Sequence, residues 1–174
     1  MSTPLPPAPV TSESLLAFLD SQGFETKTAQ HPPLFTVEDS KELRGTLEGG
    51  HTKNLFLKDK KSRYFLLTAQ EDTDIDLKSL HKLMGAQGRF SFGKPDKLEA
   101  YLGVLPGAVT ALGVINDRNH DVTFAIDQRL LEHDKINCHP LVNTATTTLR
   151  TDDLFSFARL CGHDPMIVDL AQTV

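Results

Sequence analysis

The stretch "NLFLKDKKSRYFLLTAQ", residues 54–70, sets the reading of the whole chain. "NLFLKD" and "YFLLTAQ" are strand-like runs joined by the charged turn "KDKKSR", so two strands are expected here. Upstream, "TSESLLAFLDSQG" (11–23) predicts an amphipathic helix. Thr11 or Ser12 can cap it, Leu15, Leu16, Phe18 and Leu19 form its apolar face, and Gly23 stops it. "FETKTAQ" (24–30) alternates like a strand and ends at His31-Pro32-Pro33, where the ring holds the preceding residue extended. "TVEDSKELRG" (36–45) predicts a short polar helix with so few apolar anchors that a mobile lid is a reasonable expectation.

Downstream, "DIDLKSLHKLMG" (74–85) predicts a helix closed by Gly85, and "GRFSFG" (88–93) a short strand. "KPDKLEAYLG" (94–103) predicts a helix entered at a proline. "GAVTALGVIND" (107–117) and "HDVTFAID" (120–127) look like a hairpin around Asn119. "DKINCHPLV" (134–142) and "TATTTL" (144–149) supply two more strands, Thr151 is the expected cap of "DDLFSFARLCG", and "DPMIVDL" closes the chain. Locally paired strands with interspersed helices predict an α+β fold, one domain built on a mixed sheet.

Composition narrows the class. The chain has 174 residues, enough for one well-buried core, with a net charge of −5. That balance hides a local excess: Thr52 to Lys97 holds ten Lys/Arg against six Asp/Glu, a footprint for a polyanion or a solvated face. Cys138 and Cys161 lack metal or redox spacing and read as reduced thiols. "MSTPLPPAPV" has neither the basic start nor the apolar run of a secretion signal. Residues 1–10 are therefore expected to be a flexible proline-rich arm, and 11–174 the working domain. No apolar run approaches membrane length, so neither membrane insertion nor a location other than the cytoplasm is expected.

Phosphate-loop, zinc-protease and serine-elbow motifs are missing, and the scattered histidines do not predict a metal site or cofactor. Three stretches stand out instead. In "GGHTKNLFLKD", Lys53 and Asn54 sit at the mouth of an apolar strand, and a core-facing lysine there is costly unless it meets an anion or reaches solvent. In "YLGVLPGAVTALG", Gly103 and Gly107 bracket Leu105 and Pro106 in a loop that can expose backbone N–H groups, or simply turn. In "NCHPLVNTATTTL", His139 is pinned by Pro140 and followed by Asn143, Thr144 and Thr146.

Together, "HTKNLFLKDKK", "GVLPGAVTALGVIND" and "CHPLVNTATT" resemble the YbaK/prolyl-tRNA-editing superfamily, most of all its ProXp-ala branch of Ala-tRNA(Pro) deacylases. The similarity runs from about Ser12 to Leu170. It implies a strongly curved mixed sheet flanked by helices, with one cleft for the aminoacylated tRNA end. It also implies a key lysine at Lys53, a glycine loop at Gly103 to Gly107, and a histidine at His139, with Asn54 beside the lysine. Water would be the nucleophile, helped by the tRNA's own 2′-hydroxyl, so neither Cys138 nor a triad is needed. Lys53 would hold the terminal phosphate, the glycine loop the carbonyl or amino acid end, and His139 would shape the pocket or hold a water. Arg89 is a candidate reader of bases near the tRNA end. The implied partner is tRNA(Pro) charged with alanine, with prolyl-tRNA synthetase or an elongation factor as further partners and no DNA. A deacylase for Cys-, Ser- or Thr-tRNA, or a non-catalytic tRNA- or synthetase-binding module, remains open at this level.

Overall fold

The computed structural model describes residues 4–33 and 45–173. The expected lid over 36–45 lies outside them except for Gly45, which is itself helical and so does not end a helix. The described strands are β1 (Thr26–Gln30), β2 (Gly50–Lys58), β3 (Tyr64–Gln70), β4 (Ser91–Phe92), β5 (Val122–Asp127), β6 (Lys135–Cys138), β7 (Ala145–Arg150) and β8 (Met166–Val168). The described α-helices are α1 (Ser12–Ser21), α2 (Leu80–Leu83), α3 (Pro95–Leu102) and α4 (Thr151–Leu160). All eight strands join one mixed sheet in the order β1-β7-β6-β2-β3-β5-β8, with β4 added to β2. This is the α+β architecture expected, and β2–β3 is its antiparallel hairpin, Lys58 facing Tyr64 and Thr52 facing Gln70.

Alternation along β2 and β3 sends side chains to two different cores. Phe56, Tyr64 and Leu66 enter the larger cluster with Leu15, Leu19 and Phe157. Leu57, Phe65, Leu67 and Ala69 enter a second cluster under Leu80 and Met84. The apolar runs are continuous because both faces of these strands are covered.

Thr11 does cap α1, in a reciprocal pair with Ser14. Three other expectations are corrected. Ala111–Asn116 is a buried 3-10 helix capped by the Thr110 hydroxyl, not one arm of a hairpin, and β5 pairs in parallel with β3. "ALGVI" is apolar on every side, a pattern that cannot separate a strand from a buried helical turn. The helix expected over 74–85 shrinks to Leu80–Leu83, because the Asp76 carboxylate takes the Lys78 N–H and the Ser79 hydroxyl in a local turn. Thr151 is the first residue of α4 rather than its cap, and its hydroxyl donates to the His133 carbonyl at 2.6 Å. Within the described residues 4–10, Leu5 packs on the main core, Pro6 accepts from Arg118, and the Val10 N–H donates to Asn116 at 2.7 Å.

A buried amide joins β6 to the entrance of β2. Asn137 Nδ2 donates to the Glu48 and Gly50 carbonyls at 2.8 and 3.3 Å, while its Oδ1 accepts from the Thr148 hydroxyl at 2.5 Å. Asn137→Ala should cost about 2–3 kcal/mol, since it strands buried polar partners rather than removing a pair, and urea unfolding measures this loss. Burial pushes both thiols up to about 12, for Cys138 against a Thr52 hydrogen bond and for Cys161 against the Arg118 charge. Native protein at pH 8 should therefore resist iodoacetamide at both positions, and mass spectrometry should find the label only after denaturation.

Candidate active site

The site starts from an interruption in the sheet. Along one edge, β2 pairs in parallel with β6 only at Gly50 and His51, then with β4 only at Leu57 and Lys58. Among the described residues, the β2 backbone between these two short pairings meets no other strand on that edge. The Thr52 hydroxyl closes its start by donating to the Asn137 carbonyl at 2.7 Å. β6 ends at Cys138 while β2 continues. Two residues more of the same register would bring His139 level with Lys53 on one face, but the strands diverge before that point.

That face is polar. Asn137, Thr146 and Thr148 lie on it, nearly buried, whereas Ile136, Cys138 and Leu149 point the other way into the main core. Lys53 stands where the polar mouth of β2 passes into the second core, and its Nζ donates to the Thr73 carbonyl at 2.5 Å. The Thr73 hydroxyl in turn donates to the buried Asp127 carboxylate at 2.8 Å and accepts from Arg129. This loop presents the lysine's acceptor from a fixed position.

His139 Nδ1 lies 3.1 Å from the Ala145 carbonyl, which can only accept, so Nδ1 carries the proton. In the neutral ring Nε2 is then an open lone pair. Burial holds His139 below the ordinary imidazole range, the Ala145 bond opposes this, and the charge of nearby His31 adds to it. His31 itself donates from Nδ1 to the Pro32 carbonyl and uses Nε2 on the Thr146 hydroxyl, each at 2.8 Å. Its backbone N–H continues the β1–β7 ladder to the Thr144 carbonyl at 2.9 Å.

His31 was not among the expected site residues. Its signal was available: His31-Pro32 and His139-Pro140 are the same dipeptide, each holding a histidine in extended geometry at a strand end.

The glycine loop separates into two parts. Gly103, at φ +67, ends α3 and its N–H is committed to the Glu99 carbonyl at 2.9 Å. Leu105 to Ala108 form a tight turn closed by Ala108 N–H to Leu105 carbonyl at 3.0 Å, with Pro106 and then Gly107 at φ +92 in its centre. That is the geometry of a type II turn, which needs glycine third. A Cβ on Gly107 would stand 3.5 Å from Asn143 Nδ2, so the turn reaches the loop that follows His139. Leu105 is 63% exposed at its tip.

The structure thus brings His139, His31, Thr144, Asn143 and the Pro106-Gly107 turn together beyond the end of β6, while Lys53 lies on neighbouring β2, just past its short pairing with β6. It does not gather the rest. Asn54 points to the opposite face of β2, where its Oδ1 accepts from the buried Thr68 hydroxyl at 2.5 Å. Arg89 is exposed on the second-core side, close enough to Asp76 to help hold that carboxylate below its usual range, after the larger effects of Ser79 and Lys78. Among the described residues, no three His, Cys, Asp or Glu side chains are grouped to hold a metal ion. No described helix is long and apolar enough to cross a membrane.

Comparison with known proteins follows the same residues. The model of the aminoacyl-tRNA editing domain matches residues 31–157. The prolyl-tRNA synthetase associated domain-containing protein 1 of Mus musculus is 37% identical over 155 residues, covering 87% of this chain and 91% of that protein. The prolyl-tRNA editing protein ProX of Acetoanaerobium sticklandii is 31% identical over 159 residues, covering 91% and 96%. A crystal structure presented as a candidate trans-editing enzyme for prolyl tRNA synthetase superposes with a TM-score of 0.67 at 19% identity, covering 92% and 98%, a likeness of fold. The matched region opens on His31, spans Lys53, the Pro106-Gly107 turn and His139, and ends inside α4; the chain belongs to the aminoacyl-tRNA editing domain family.

Proposed function

We propose that this protein is a trans-editing deacylase that hydrolyses the ester of alanine misattached to tRNA(Pro). Membership of the editing family makes it a hydrolase of aminoacyl-tRNA, with tRNA as its substrate. The feature that best supports the finer reading is the short β2–β6 pairing, after which Lys53 follows on β2 and His139 follows the end of β6 as the two strands part. Such a mouth suits a substrate with a charged phosphate at one end and an ester at the other.

In this reading Lys53 gives up or shares its Thr73 acceptor to bind the phosphate of the terminal nucleotide, a task for a compact charge. Water attacks the ester carbonyl, helped by the vicinal 2′-hydroxyl of the substrate, and the bond to the ribose 3′-oxygen breaks to release alanine. His139, neutral with its Nε2 lone pair free to accept, orients that water or the substrate amine rather than acting as a strong base. The Gly107 turn and Asn143 line the amino acid end, with Leu105, Pro106 and Thr144 limiting its size. Gly103 and Asn54 act from behind, one by ending α3 and the other by holding β2 on β3. Arg89 meets the tRNA outside the ester pocket. A synthetase that accepts proline discriminates against the smaller alanine by only about 1–3 kcal/mol per missing methylene, so a separate small pocket is needed to remove the error.

The test is deacylation of Ala-tRNA(Pro), Pro-tRNA(Pro) and Ala-tRNA(Ala) side by side. Alanine should leave tRNA(Pro) fastest, proline should stay, and Lys53→Ala should lower kcat/KM about 10- to 100-fold, the worth of one charge-assisted bond. Release of no amino acid from any of these, or preferential loss of cysteine, serine or threonine in a parallel panel, would overturn the alanine assignment.

The histidine predicts a pH profile. Because folding lowers its affinity for a proton, His139 should stay neutral as pH falls through about 6.5. Its contribution to the rate should hold through that range and fail only in more acid solution. Stability should decline over the same descent, since the unfolded chain takes up the proton first. Rates from pH 8 to 5 with wild type and His139→Gln, beside an NMR titration of the ring, check both signs.

A further inference from the structure

Phe92 is 60% exposed, on a two-residue edge strand, where an uncovered aromatic ring is a liability. A single exposed apolar residue means little by itself. Its surroundings distinguish this one. Residues 58–63 and 88–97 together hold seven Lys/Arg and two Asp/Glu, while the rest of the chain holds eleven against twenty-one.

Tertiary contacts make these two segments one surface. Lys58 pairs with Ser91 and Leu57 with Phe92 across β2 and β4. The Lys60 N–H donates to the Gln87 carbonyl at 2.8 Å. A Cβ on Gly88 would clash with the Lys60 side chain, so that side chain lies against the Gly88 backbone. Of the two carboxylates, Asp59 is spent internally. It accepts from the N–H groups of Lys61, Arg63 and Gln87 and from Arg63 Nε, all at 2.9–3.0 Å. Burial opposes its ionisation, but the hydrogen bonds from Gln87, Arg63 and Lys61 outweigh it and hold the carboxyl below the usual range. The outer surface keeps a cationic excess, with Lys60, Lys61, Arg89, Lys94 and Lys97 exposed beside Asp96, and with the Lys97 ammonium over the Tyr101 ring at 5.8 Å.

The ring is also held from behind. The Gly93 N–H donates to the Phe56 carbonyl at 2.9 Å, and a Cβ on Gly93 would stand 2.3 Å from the Phe56 ring. Phe56 stacks on Tyr64 at 5.4 Å, and Tyr64 meets Tyr101 at 5.1 Å. β4 is thus pressed onto an aromatic stack and cannot fold Phe92 inward without displacing it.

We infer that Phe92, on a surface that also carries Lys60, Lys61, Arg89 and Lys94, is a stacking platform for an unpaired base of the tRNA acceptor end, whose phosphates the cations engage. The inference rests on the proposed tRNA substrate and adds a second contact outside the ester pocket. An aromatic ring on a cationic surface is the arrangement that binds single-stranded nucleic acid without base readout, because every base offers a π-face and every nucleotide a phosphate. Charge complementarity selects RNA over an apolar protein segment. Phe92 shares the face of β2 that carries Lys53, since it pairs with Leu57 four residues further on, roughly 13 Å at strand rise. A strand of RNA ending at Lys53 can reach that distance within a few nucleotides.

The experiment compares wild type, Phe92→Ala, Phe92→Trp and the double variant Lys60→Ala/Lys94→Ala in Ala-tRNA(Pro) deacylation. Phe92→Ala should raise KM about 5- to 50-fold, the range of one base stack, leave kcat within about twofold, and be restored by Phe92→Trp. The double variant should raise KM and flatten its dependence on salt. Circular dichroism and thermal melting should match wild type, as the ring is exposed. An unchanged KM in Phe92→Ala, with active wild type, overturns the platform while leaving the deacylase reading intact. If wild type deacylates nothing, fluorescence anisotropy with a labelled CCA-ended single strand decides the platform separately. Salt-sensitive binding weakened by Phe92→Ala supports it, and equal binding by both proteins, or none, overturns it.

Discussion

The β2 strand carries the rest of the molecule because its two edges are treated differently. One edge pairs with β3 along its whole length after Gly50 and His51, while the other meets β6 for two residues and β4 for two more. A fully paired second edge would bury the backbone hydrogen bonds and leave no opening. The interruption lets a polar mouth exist beside β3, a strand covered on both faces by the two apolar cores. Polar groups facing it need partners, and they have them: Asn137 with Thr148, His139 with Ala145, His31 with Thr146, and Lys53 with Thr73.

These bonds do more than satisfy burial. The Ala145 carbonyl selects one tautomer of His139 and burial keeps the ring neutral, so its remaining nitrogen is an acceptor of known direction. Thr73 is held by Asp127 and Arg129, and so offers Lys53 an acceptor that does not move with the lysine. A neutral acceptor and a cation where β2 and β6 part suit an ester whose leaving ribose carries a phosphate. Neither buried thiol suits that chemistry, since a thiol held near 12 supplies almost no thiolate at neutral pH.

Much of the fold was legible where periodicity and punctuation agreed. The capped helix α1, the β2–β3 pair, the proline-entered α3 and β7 all carried local signals, whereas the strand expected over 134–142 stops at Cys138, before His139-Pro140. "ALGVI" failed because an all-apolar run has no period to read, and residues 74–79 failed because Asp76 and Ser79 prefer each other to a helix. At the site, Lys53, Gly107, Asn143 and His139 were visible as odd residues in odd places. His31 was missed because a lone histidine at a strand end carries no chemistry until β1 lies against β7 and puts it beside Thr146 and His139.

Sequence alone determined most of the elements, the class of fold and the residue types available for chemistry, because those follow from side-chain size, period and the backbone limits of glycine and proline. Tertiary structure decided which of those residues meet. Lys53 and Asn54 are neighbours in the chain, yet a strand sends them to opposite faces, while the segments that lead to Lys53 and to His139 are far apart in sequence and are joined by two parallel pairs. The basic residues of 58–63 and 88–97 likewise become one surface only through β4 and the buried Asp59 carboxylate. Such meetings depend on register and on long-range hydrogen bonds, which no local pattern encodes.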